Sequence, residues 1–279
     1  CTIPLARGRS RNQRVEERQK VANDVATTGV NEVVLTGVNI GDFGQGKDES
    51  FFDLCQALDK VDGIERFRIS SIEPNLLSDD IIDFVAASEK FVPHFHIPLQ
   101  SGSDEMLTAM RRRYLTPLYR ERISRIKSKM PNACIGVDVI VGFPGETEEE
   151  FMKTVDFLKS MDISYLHVFT YSERANTTAL RIEDVIPMQV RQERNKILTQ
   201  LSLKKKRAFY ESQIGTAHTV LWEASENEGM MHGFTENYVK VEQAFSADKI
   251  NTIEGVSLDS ISKTGLVSIG LEPDMMVVR

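Results

Sequence analysis

The side chains of this chain best suited to chemistry gather just past short apolar runs. Asn39 follows Val33-Val34-Leu35. Ser70, Ser71 and Glu73 follow Arg66-Phe67-Arg68-Ile69. Gln100, Ser101 and Ser103 follow Ile97-Pro98-Leu99, and Ser172 and Arg174 close the run from Tyr165. Amides, hydroxyls and carboxylates of this kind hold polar ligand groups. Any single Ser or Asn could instead serve only to cap the next helix; the whole set at one end of a sheet would make a site. The remaining candidate is the thiol of Cys1, ahead of a short basic segment with Arg7, Arg9 and Arg11. Thiolate metal sites normally pair their cysteines, and the other two cysteines are distant. Cys55 lies in the apolar helical pattern Phe51, Phe52, Leu54, Leu58, and Cys134 precedes a buried strand, so both read as core residues. Cysteines this few and this scattered are no disulfide framework and point to a reducing compartment. The chain does not begin with Met, and the expectation is that Cys1 continues a longer polypeptide.

For the polar set to act together, the apolar runs must lie side by side with their ends on one rim. The pattern provides for this. Helix is expected over 15–28, 51–60, 78–88, 104–111, 117–130 and 187–213, and strand over 32–37, 66–71, 94–100, 135–142 and 165–171. Gly29 stops the first helix. Thr147-Glu148-Glu149-Glu150 reads as a capping box, opening a further helix with Phe151, Val155 and Leu158 on one face. Strand and helix alternate roughly every 30 residues, the size of a βαβ unit. Such alternation implies a parallel sheet with helices outside, and in a β/α barrel the strand C-termini form the reactive rim. Beyond Gly215 the character changes. Residues 218–224 alternate like a strand, and 233–245 and 255–269 read as further short strands, together a small all-β module of barrel type.

The 279 residues allow one large or two unequal domains, and a hydrophobic content of 41% suffices for a core. No apolar run approaches a membrane span, so no membrane partner is expected. The net charge of −7 argues against a uniformly basic surface, yet two basic patches stand out. One comprises Arg7, Arg9, Arg11, Arg14, Arg18 and Lys20; the other lies on the 187–213 helix and includes Lys204, Lys205 and Lys206. Both are compatible with local phosphate contact, though each patch alone reads first as a solvated face.

Taken together, the motifs resemble a known family. Residues 1–11, Cys1-Thr2-Ile3-Pro4-Leu5-Ala6-Arg7-Gly8-Arg9-Ser10-Arg11, are similar to the tail of the radical S-adenosylmethionine (SAM) signature C-x3-C-x2-C of the methylthiotransferases. The likeness continues through Leu35-Thr36-Gly37-Val38-Asn39, Ser70-Ser71-Ile72-Glu73-Pro74, His96 to Ser103, Met110 to Tyr114, Asp138 to Thr147 and Phe169 to Arg174. It covers nearly the whole chain, with the motifs in order, and the closing β module is similar to the TRAM domain that ends these enzymes. The resemblance implies an α/β fold: a partial (β/α)6-type radical SAM barrel over residues 1–210, then a small all-β TRAM barrel over 211–274, with an auxiliary-cluster domain upstream. Ala6 to Arg11 most resembles the branch that converts N6-threonylcarbamoyladenosine at position 37 of tRNA to its 2-methylthio derivative. The branches acting on isopentenyladenosine in tRNA or on a ribosomal protein remain alternatives, as does a non-catalytic RNA-binding protein on a degenerate barrel.

The resemblance also implies cofactors, partners and roles. A 4Fe-4S cluster would take Cys1 as its third thiolate, a soft anionic ligand suited to iron. The first two cysteines would lie upstream, and a second such cluster would sit in the upstream domain. S-adenosylmethionine would bind the open iron. Gly37 would permit close backbone approach, and Asn39 would meet the amino-acid end of the cofactor. Ser70 and Glu73 would hold amino or ribose groups, Gln100 and Ser101 the ribose or carboxylate. Arg113 would take the carboxylate, which its fork pairs bidentately. Val141 and Gly142 would edge the adenine, and Phe169 and Tyr171 would stack on it or wall the substrate base. Asp138 would support the site from behind; His94 and His96 read as strand residues rather than ligands. The implied partners are tRNA, met by Arg7, Arg9, Arg11, Lys204, Lys205 and Lys206, and an electron donor protein, and the implied location of the protein is the cytoplasm. The sulfur donor stays open.

Overall fold

The computed structural model describes residue 8, residues 12–37 and residues 39–270. Helix α1 (Val15–Ala26) leads into β1 (Glu32–Leu35), α2 (Phe51–Leu58), β2 (Arg66–Ile69), α3 (Asp79–Ala87) and β3 (His94–His96). Then come α4 (Asp104–Ala109), α5 (Thr116–Lys129), β4 (Cys134–Val141), α6 (Glu148–Ser160) and β5 (Tyr165–Thr170). β1 pairs in parallel with β2, β3 with β4, and β4 with β5. Bonds just outside these ladders join β2 to β3: Phe67 N–H donates to Lys90 O (2.8 Å), Val92 N–H to Phe67 O (3.0 Å) and Ile72 N–H to His96 O (3.1 Å). The five strands therefore run side by side in chain order, the arrangement expected of strand–helix alternation.

Successive side chains on a strand face opposite ways, and here the two faces differ in character. Phe67, Ile69, Phe95, Ile97, Ile135, Val137 and Val139 are buried in one core cluster with Leu58, Ile82, Ile123, Val155 and Leu158 of the helices. Each such burial stabilises the fold by about 1.5–3 kcal/mol. The opposite face carries Glu32 and Val34, Arg68 and Ser70, His94 and His96, Asp138, and Tyr165, His167 and Phe169. A purely apolar sheet interior is thus replaced by a polar concavity.

Two local expectations are corrected. The run 94–100 is not one strand. Regular pairing ends at His96, before Pro98, which has no N–H to donate. Leu99 and Gln100 N–H then both reach Asp138 O, at 3.1 and 2.8 Å, and Gln100 adopts φ 73°. One extra residue is absorbed opposite β4, a bulge that re-aims the chain at the strand end. The capping box at Thr147 is only half formed. Thr147 accepts from Glu150 N–H (3.2 Å), but the Glu150 carboxylate turns to the Ser103 hydroxyl and to Lys153 (2.7 Å).

Helix α7 (Met188–Gln213) packs along β5 and carries the chain from the strand C-termini back to the opposite edge. Strands β6 (Ala217–Asn227), β7 (Met230–Thr235), β8 (Lys240–Ala244), β9 (Ile253–Ile261) and β10 (Val267–Gly270) then close into a barrel of order β10-β8-β7-β6-β9. Val220, Trp222, Met231, Val241, Val256 and Leu258 fill it. Within 233–245 a turn at Tyr238 (φ 68°) separates β7 from β8, and 255–269 comprises β9 and β10 with a turn between them, the short strands and turns expected there.

The small barrel sits against the N-terminal ends of the parallel strands. Arg66 at the start of β2 donates to Thr219 O (2.6 Å) and Phe234 O (3.3 Å), and Arg68 to Glu236 O (3.1 Å). Asn237 donates to Asn132 O, just before β4, and Asn251 to Gly29 O, just before β1. Glu32 grips Arg68 bidentately at 2.7 and 3.0 Å, so the docking guanidinium is itself fixed. No helix among the described residues is long and apolar enough to cross a membrane.

Candidate functional site

The ends of β1 to β5 and the loops after them bring most of the expected residues to one rim. Gly37 lies two residues past β1. Asn39 heads a short turn (Ile40–Asp42) and donates from Nδ2 to Asp42 Oδ2 (3.0 Å). Its Oδ1 is buried with no donor among the described residues. Such an atom costs about 1–3 kcal/mol, so the geometry suits a ligand N–H arriving there. Glu73 meets Arg112 at 3.3 Å, and Arg112 Nε is likewise buried without an acceptor. Of three consecutive arginines, then, Arg112 and not Arg113 turns towards the other rim residues; Arg113 is exposed. The buried ring of Tyr114, whose hydroxyl donates to Pro98 O (2.9 Å), sets that phase.

Gln100 is buried at the bulge. Ser101 is wholly buried, and its hydroxyl shares a hydrogen bond with Thr154 of α6 (3.0 Å) while accepting from Ser103 N–H (3.2 Å). It ties the loop to the helix. Val141 packs its side chain into the core. Gly142 adopts φ 76° and donates its N–H to Glu146 Oε2 (2.7 Å), and the Arg191 side chain fills the space a Cβ would need. Phe169, on the polar face at the end of β5, is 52% exposed, an open aromatic surface beside the rim. Tyr171 stands edge-on to Phe143 (5.2 Å) with Arg191 over its ring (5.4 Å), and burial raises its pKa.

Below the rim, the polar concavity and the small barrel line a half-open chamber of about 350 Å³. Ladder and bridging bonds set Ser70, His96 and His167 in its upper layer, with Arg68, His94 and Tyr165 below and Tyr238 and Phe234 as floor. His96 Nε2 lies 2.8 Å from Asp138 Oδ1, and its ring meets His167 edge-on at 5.4 Å. His94 contacts the Tyr165 hydroxyl (3.2 Å) and the Tyr238 ring (4.4 Å). Burial, then Arg68 and His96, hold the His94 pKa well below its usual value; burial, then His96, lower that of His167. Both shifts favour the neutral, hydrogen-bonding form of His94 and His167. No cluster of metal-ligating side chains exists among the described residues. His94 and His96 are strand residues, as expected, but they also line the chamber. The available signal was a pair of histidines alternating with phenylalanine in a run of buried type.

The expected basic contacts fare differently. Cys1, Arg7, Arg9 and Arg11 lie outside the described residues. The lysine run lies at the far end of α7 from the rim. Lys205 donates to Lys159 O (3.1 Å) and Met161 O (2.6 Å), just ahead of β5, and Lys206 lies over the Tyr210 ring (5.2 Å). Burial lowers the pKa of both. Only Lys204 is exposed, so the three do not form one open patch.

Residues 1–158 match the Radical SAM superfamily. The chain is 41% identical over 264 residues, 92% of its length, to a threonylcarbamoyladenosine tRNA methylthiotransferase of Bacillus subtilis. It is 35% identical over 262 residues to a tRNA-2-methylthio-N(6)-dimethylallyladenosine synthase of Lachnoclostridium phytofermentans. In both cases it spans 58% of the relative's length. Among solved structures, coproporphyrinogen III oxidase from Escherichia coli, titled a radical SAM enzyme, aligns with TM-score 0.53 and 11% identity over 84% of this chain and 66% of that one, a likeness of fold alone. The parallel strands with their polar rim, and a match across more than half of the sequence, establish that the chain belongs to the radical SAM superfamily.

Proposed function

We propose that the full-length protein is a tRNA methylthiotransferase that converts N6-threonylcarbamoyladenosine at position 37 to its 2-methylthio derivative. The observation that carries this reading is the 41% identity to the Bacillus subtilis enzyme of that name, which spans both the parallel-stranded part and the small barrel. The chamber supports it. Its upper layer of Ser70, His96 and His167, with Asp138 holding His96, offers hydroxyl and imidazole partners to the amide, hydroxyl and carboxylate of a threonylcarbamoyl group. A dimethylallyl group would use none of them.

One-electron cleavage of S-adenosylmethionine at a 4Fe-4S cluster is the chemistry this superfamily draws from its cofactors, and the protein positions and shields the event. The rim fits the role. Asn39 Oδ1 would accept from the amino group, and Glu73 and Arg112 would orient amino and carboxylate groups as a pair. Phe169 would offer a face for adenine or for the substrate base, and Cys1 would be a cluster thiolate. The residues after 210 form a TRAM-like unit that floors the chamber. The protein works in the cytoplasm with an electron donor protein. The test is mass spectrometry of tRNA nucleosides after reaction with the reconstituted full-length protein and a reductant. The 2-methylthio derivative is expected from threonylcarbamoyladenosine tRNA. Product from isopentenyladenosine tRNA alone, or from a ribosomal protein alone, would overturn the assignment.

A further inference from the structure

Most arginines among the described residues are paired with a carboxylate, as Arg112 is with Glu73 and Arg191 with Glu173. Arg111, Arg113, Arg174 and Arg181 are exposed and their side chains hold no partner among the described residues, where the only other such arginine is Arg18 on α1. All four stand on loops after β3 and β5, on the rim. These two strands flank β4, so their ends are roughly 10 Å apart.

The first loop is a built platform. Arg111 takes φ 57°, Arg111 N–H donates to Thr108 O and Arg112 N–H to Leu107 O (both 2.9 Å). The inward Arg112 and the buried Tyr114 anchor the turn to the strand ends. Arg111 and Arg113 are thereby held outward on a rigid backbone, which lowers the ordering cost of a contact. The second loop is pinned by Arg191 on Glu173 and by Gly145 N–H on Asp184 O (3.1 Å). Glu183 and Asp184 offset part of its charge, so the first loop is the stronger half. Guanidinium forks match phosphate geometry.

We infer that Arg111 and Arg113, with Arg174 and Arg181 in support, contact the phosphates that flank the target base of the RNA strand. This replaces the lysines of α7 as the phosphate-binding surface among the described residues, and it rests on the tRNA reading above.

The test is salt-dependent binding of substrate tRNA to the full-length protein, followed by fluorescence anisotropy. For R111Q/R113Q the slope of log affinity against log salt is expected to be shallower by about 1.5, near 0.7 per lost contact to a single strand. R174Q/R181Q should show a smaller loss in the same direction, and K204Q/K206Q none. Each pair is tested independently, so a folding defect in one leaves the other decisive. An unchanged slope in both arginine pairs, or a loss only in the lysine pair, overturns the inference. So does loss of S-adenosylmethionine binding with an unchanged RNA slope, which would return Arg113 to the cofactor. Absence of tRNA binding by the wild-type protein would instead overturn the tRNA reading itself.

Discussion

Gly142 and His94 show how single residues were constrained by neighbours remote in sequence. At Gly142, positive φ and the packed Arg191 side chain both exclude a Cβ. Gly142→Ala should cost about 2 kcal/mol or more in urea unfolding, the sum of left-handed strain and overpacking; an unchanged midpoint would contradict this. His94 is kept neutral chiefly by burial. The unfolded chain binds a proton there near its usual 6.5, and the folded chain does not. The stability linked to His94 is therefore present above that pH and lost as pH falls from it towards the folded value. The melting temperature should drop through this acid window, and His94→Gln should flatten the drop. Parallel curves for the two proteins would remove His94 from the account. Both residues were visible as types in the sequence, a glycine after a strand and a histidine within one. What surrounds them was not, because α7 and the small barrel supply those neighbours.

At the scale of elements, α7 is tied to the β4–α6 turn by a buried ion pair. Arg194 donates to Glu146 Oε2 (2.7 Å) and Glu146 O (2.8 Å), and burial raises the Glu146 pKa against those bonds. Arg194→Met would leave the carboxylate buried without its cation, an expected loss of about 3 kcal/mol. Adding Glu146→Gln should restore part of it; a double variant no more stable than the single one would show that the pair is not the cause. The existence of most elements was legible, since apolar periodicity reports which face is buried. Their ends were less so. The strand at 94–100 is cut by Pro98 and the Gln100 bulge, and the capping reach of Glu150 is diverted by Ser103 and Lys153, partners that only folding supplies.

At the scale of the molecule, the small barrel docks on the edge opposite the rim and floors the chamber. Arg66 and Arg68 hold it by bonds to main-chain oxygens of β6, β7 and the turn after β7, with Glu32 fixing the Arg68 guanidinium. Arg68→Ala should strip Glu32 of its bidentate partner and loosen the dock. Calorimetry of the full-length protein should then resolve an added low-temperature transition belonging to the barrel. A single transition shifted as a whole would show instead that the two parts remain one cooperative unit. Charge along the chain did not say where the second basic run would lie: α7 carries Lys204–Lys206 away from the rim to the docking edge, where Lys205 and Lys206 are half-buried.

The sequence by itself determined the alternation of strands and helices, the switch to a small β module, the superfamily and the set of polar residues at the strand ends. Those are properties of local pattern and ordered motifs. Only the tertiary structure decided that Arg112 rather than Arg113 faces Glu73, that Ser101 is spent on α6, and that the interior face of the sheet is polar and floored by the barrel. Each depends on contacts between segments far apart in the chain, and no periodicity within one segment encodes its partner.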